Sequence, residues 1–70
     1  MHEDLVFYIA RNKNGLLCMH QELPHRHNEI WVSDGYVIEM PCSLYDDLTF
    51  YDKPVRIILH PQPEPEESVE

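Results

Sequence analysis

Seventy residues, 43% apolar and including seven aromatics, allow one small core and leave no room for a second domain. The net charge of −8 rests partly on four glutamates after His60, and residues 1–60 hold nine acids against five dispersed bases. Those bases, Arg11, Lys13, Arg26, Lys53 and Arg56, are too few and too scattered for the basic face that nucleic acid or an anionic membrane requires.

The first element expected is a strand from Leu5, because Leu5-Val6-Phe7-Tyr8-Ile9-Ala10 is rich in β-branched and aromatic types. Asn12-Lys13-Asn14-Gly15 suits a type I turn whose closing glycine takes the left-handed position of a three-residue loop, while a two-residue Asn14-Gly15 turn would keep the hairpin but change its pairing. That register sets Leu5 opposite Leu23, Phe7 opposite Gln21, Ile9 opposite Met19 and Arg11 opposite Leu17 on the expected core face. Val6 with Glu22, Tyr8 with His20 and Ala10 with Cys18 take the other. Pro24-His25-Arg26-His27-Asn28 lacks apolar alternation and reads as a loop. A second hairpin is then expected from Glu29 or Ile30 to Met40, closed by Asp34-Gly35 as a type I′ turn. It sets Trp31 opposite Ile38, with Trp31 as a core anchor.

After Pro41, Ser43-Leu44-Tyr45-Asp46-Asp47-Leu48 places a capping serine three residues before an acid and spaces two leucines by four, which predicts one short helical turn near 43–48. Thr49-Phe50-Tyr51 is strand-like, Asp52-Lys53-Pro54 is a turn, and Val55-Arg56-Ile57-Ile58-Leu59 is the closing strand. The expected fold is thus mostly β, or a small α+β variant of it. Four to five antiparallel strands run in meander order as a curved sheet or a small SH3-like barrel. Residues 1–60 form this single domain, and the Pro/Glu-rich residues 61–70 are expected to be a disordered acidic tail.

Two cysteines, Cys18 and Cys42, make no disulfide framework and are expected as reduced, small core residues. Met1-His2-Glu3-Asp4 is acidic where a secretory signal needs cations, and no run reaches membrane length, so the expectation is a soluble cytoplasmic protein.

The densest group of chemically capable residues is Cys18, His20, His25 and His27, since a thiolate and three imidazoles suit zinc. Against a zinc site stands its construction, because standard zinc modules join two separated chelating halves and these four residues lie within ten. The alternative is surface histidines with a buried cysteine and no cofactor. Catalysis is not expected. Adjacent Asp46 and Asp47 diverge on a helical turn, Cys42 lacks a local helper base, and Gly15 and Gly35 serve turns rather than a phosphate cradle.

The segments FYIARNKNGLL, EIWVSDGYVIEMP and LYDDLTFYDKPVRIIL resemble small proteins of phages and mobile elements of gut bacteria. The resemblance supplies no activity; it implies an accessory protein that binds host or phage machinery, including as an inhibitor of defence systems. The functional expectation is a noncatalytic protein-interaction module contacting another protein through strand edges or the Tyr8 and Tyr36 surfaces, with a homodimer as a further option. A small zinc-binding protein is the alternative.

Overall fold

The computed structural model describes residues 4–60, and the expected acidic tail lies outside the described residues. Six strands appear: β1 (Leu5–Arg11), β2 (Leu17–His20), β3 (His25–His27), β4 (Ile30–Val32), β5 (Val37–Met40) and β6 (Val55–Leu59). They form an antiparallel four-stranded sheet in the order β5-β2-β1-β6 and a separate β3-β4 hairpin. The large sheet stays open, with β5 and β6 as its edges, so it is not a closed barrel, and the order is not a meander. Among the described residues no helix is long and apolar enough to cross a membrane.

The first hairpin has the expected register wherever it is paired: Tyr8 with His20, Ile9 with Met19, Ala10 with Cys18 and Arg11 with Leu17. Its turn is closed by Gly15 N–H donating to Asn12 O (2.9 Å) and Asn12 N–H donating to Leu16 O (2.8 Å). Gly15 has a φ of 97°, a conformation in which a Cβ would be strained. The ladder stops at Tyr8, so the pairings expected for Leu5, Val6 and Phe7 do not form on this side.

The second expected hairpin is replaced by two other pairings. β4 pairs with β3, through Arg26 with Trp31, while β5 crosses to β2 and sets Ile38 beside Met19 and Met40 beside Leu17. The His25–His27 segment is therefore a strand and not a loop, turned by Asn28 at a φ of 59°, a region that asparagine tolerates. Gly35 does not adopt a positive φ, which removes the type I′ turn. It is needed for space, since a Cβ there would lie 2.7 Å from Gln21 Oε1 and 2.8 Å from Glu22 Cγ.

No helix forms at 43–48. Residues 41–52 make successive tight turns, with Leu44 N–H donating to Pro41 O, Leu48 N–H to Tyr45 O and Asp52 N–H to Thr49 O. Tyr45 has a φ of 53°, which interrupts any helical run. The physical reason lies in Arg11. Its guanidinium donates to the carbonyls of Leu48 (2.7 Å), Leu44 (2.8 Å), Tyr45 (3.0 Å) and Cys42 (3.2 Å), and to Gly15 O (2.8 Å). The loop's acceptors turn toward one cation instead of along a helix axis.

Strand alternation gives the sheet two faces. On the first, buried Ile9, Leu17 and Leu48 gather Met19, Met40, Val55 and Ile57; on the second, Ala10, Trp31 and Phe50 pack together. Leu48 and Phe50 stand two residues apart and cover opposite faces, so one loop closes one end of the sheet. Trp31 is the expected anchor, edge-on to Phe50 at 6.2 Å, with Arg26 stacked 4.6 Å above its ring. The β3-β4 hairpin is tied to the first turn by Trp31 N–H donating to Asn12 Oδ1 (2.8 Å) and Lys13 N–H donating to Glu29 O (3.0 Å).

Candidate functional site

The first face of the sheet is apolar on every strand. Leu5, Phe7 and Ile9 of β1 share it with Leu17 and Met19 of β2, Ile38 and Met40 of β5, and Val55, Ile57 and Leu59 of β6. The covering loop reaches only the end at Ile9, Leu17 and Leu48. Away from that cover, Leu5 and Leu59 at the far end are 46% and 45% exposed, and Ile38, on the β5 edge in the row of Met19 and Ile9, is 53% exposed, beside half-buried Phe7 and Met19. Among the described residues nothing covers this part of the face, which spans four strands, about 14 Å from edge to edge at ordinary strand spacing.

Two adjoining depressions shape this surface. One of about 250 Å³ is lined by Phe7, Met19, Gln21, Tyr36 and Ile38. Tyr36 forms its wall, held by Gln21 N–H donating to Tyr36 O (2.9 Å) and Tyr36 N–H donating to Gln21 Oε1 (3.1 Å). The other, about 430 Å³, opens where β1 outruns β2; it has apolar walls from Leu5, Phe7 and Leu23 and carries Asp4 and Glu22. Tyr8 also lines this second depression. The two tyrosines nominated from the sequence stand on different faces: Tyr36 is exposed on the side of Ile38, whereas half-buried Tyr8 pairs with His20 on the second face and reaches only the second depression.

The four nominated metal ligands are distributed differently. Cys18 and His20 are buried on the second face, whereas His25 and His27 are exposed on β3. Among the described residues, no group of three or more His, Cys, Asp or Glu side chains is arranged to hold a metal ion. Burial, then the nearby Glu39 and Cys42, push the Cys18 thiol up, which keeps it protonated at neutral pH. Cys18 is the small core residue expected, but Cys42 is exposed. Burial lowers the pKa of His20, whose Nδ1 shares a hydrogen bond with Ser33 Oγ (2.9 Å). Its Nε2 is buried without a partner, as is Trp31 Nε1.

Phe7, Met19 and Ile38 were missed as surface residues, because alternation assigns a face without saying how much of it is covered. A usable signal was present: the strands place ten apolar residues on one face, and residues 41–52 supply only two leucines to cover them. Compared with known protein families, curated proteins and solved structures, the chain matches none.

Proposed function

We propose that the chain is a noncatalytic protein-interaction module, with the open half of the first sheet face as its contact surface. The observation that carries this reading is the exposure of Leu5 and Leu59 at one end of the face and of Ile38 on its β5 edge, joined through half-buried Phe7 and Met19, on a sheet whose opposite end is closed. Exposed apolar surface of this kind, bounded by polar residues, is characteristic of surfaces that bind other proteins. In the setting implied by the sequence resemblance, such a module serves as an accessory protein that blocks or recruits a host or phage component.

The test is crosslinking capture from cells producing the wild type, Ile38→Asp or Tyr51→Ser. Tyr51 is 71% exposed and lies in the loop, away from the surface, so its variant is the control. A crosslinked partner retained by wild type and Tyr51→Ser but lost from folded Ile38→Asp is the expected outcome. Equal capture by all three would remove this surface from the account.

A further inference from the structure

Resting on the reading above, we infer that the open end of the sheet accepts an extended, cationic and apolar segment of a partner protein. The first line of argument is backbone geometry. The β1-β2 ladder ends at Tyr8 and His20, while β6 pairs with β1 down to Leu5. Asn12 N–H donates toward β2, so alternation aims the N–H and C=O of Ala10, Tyr8 and Val6 the same way. Gln21 N–H continues the pairing toward β5 by donating to Tyr36 O, and Glu22, which would have opposed Val6, makes no strand pairing among the described residues. On its β2-facing side the Val6 backbone therefore faces the larger depression with no strand paired there among the described residues, while β6 holds its other side. A short extended segment can pair there while seating side chains against Leu5, Phe7 and Leu23.

The second line is charge. Asp4 and Glu22 are the charged residues lining this depression, and no lysine or arginine joins them. Asp4 Oδ1 is 2.9 Å from His60 Nδ1, whereas Glu22 has no ion pair among the described residues. Three of the chain's five basic residues are committed elsewhere, Arg11 to five carbonyls, Lys13 to Glu29 at 3.6 Å, and Arg26 to the Trp31 and Phe50 rings, while Lys53 and Arg56 do not line the depression. A chain of net charge −8 repels its own copy and attracts a basic segment. Complementarity thus selects a partner with lysine or arginine beside apolar anchors.

The experiment is an amide NMR titration of the full chain with two capped hexapeptides, Lys-Leu-Lys-Val-Lys-Leu and Glu-Leu-Glu-Val-Glu-Leu. The basic peptide should give saturable shifts at Val6, Phe7, Leu23 and Ile38, weakened at least fivefold in Glu22→Lys, with the acidic peptide bound more weakly by wild type. Glu22 is exposed, so its replacement leaves the fold intact. Equal binding of the two peptides, shifts elsewhere, no shifts, or an unchanged affinity in Glu22→Lys would each overturn the inference. If Ile38→Asp abolishes equal binding of both peptides, the contact surface stands and only its charge preference falls. Shift changes at the same amides on dilution, or on deletion of residues 61–70, would assign the depression to a second copy or to this chain's own C-terminal segment, and would also overturn it.

Discussion

The two ends of the four-stranded sheet are made from similar strand sequences and have opposite fates. At one end Ile9, Ala10 and Leu17 are buried beneath Leu48 on one face and beside Trp31 and Phe50 on the other, and Arg11 fastens the covering loop. Toward the other end the same sheet leaves Leu5 and Leu59 exposed, and Ile38 is exposed along the β5 edge. The difference comes from where the remaining chain goes, not from strand composition. Among the described residues the chain outside the sheet covers one end, and the rest of the face retains apolar surface for contact.

The strongest way to break this comparison is Trp31→Ala. It removes a ring packed against Phe50 and Arg26, at a cost of about 3–5 kcal/mol, comparable with the whole stability of a domain this small. Loss of a cooperative urea transition and collapse of amide shift dispersion are expected.

Arg11→Met should follow, with a loss of about 2–3 kcal/mol by urea denaturation, because five carbonyls lose a shared donor. Arg11→Lys should recover only part of this, as a point ammonium cannot fan across the same acceptors.

His20 gives a pH signature of the second, buried face. Its folded pKa is lowered by burial, so both states are neutral well above the unfolded value of about 6.5. As pH falls through that value and down to the folded pKa, the unfolded state takes up the proton first and stability declines, by at most about 1.4 kcal/mol per pH unit. In denaturation curves from pH 7.5 to 5, His20→Gln should show a shallower decline than wild type.

Gly35→Val should cost about 1 kcal/mol through crowding against Gln21 and Glu22, side chains that can partly yield. An unchanged midpoint would mean that this approach is looser than described.

The parts of this architecture visible in the sequence are those set by local chemistry. Asn12-Lys13-Asn14-Gly15 dictates a turn, and the turn dictates the four pairings from Tyr8 to Arg11. Asp34-Gly35 carried an equally strong local signal that lost to a distant competitor, because β2 offered β5 an apolar partner row in Met19 and Leu17. His25-Arg26-His27 looked polar, yet Arg26 earns its strand position by stacking on Trp31 and Phe50. The capped helical turn at Ser43 yielded to the Arg11 guanidinium, 32 positions away. Tyr36 could be nominated for the surface from its place beside a turn. Ile38 could not, since its exposure depends on which face the loop leaves bare.

The most direct measurement is a matched pair of urea denaturation curves, for Leu17→Ala at the closed end and Ile38→Asp on the open β5 edge. A loss of about 2–5 kcal/mol for the first and only about 1 kcal/mol for the second, the strand-propensity cost of aspartate at a half-exposed position, is the predicted result. Equal losses would show that Ile38 belongs to the stabilising core, and the division between a closed structural end and an open contact end would fail.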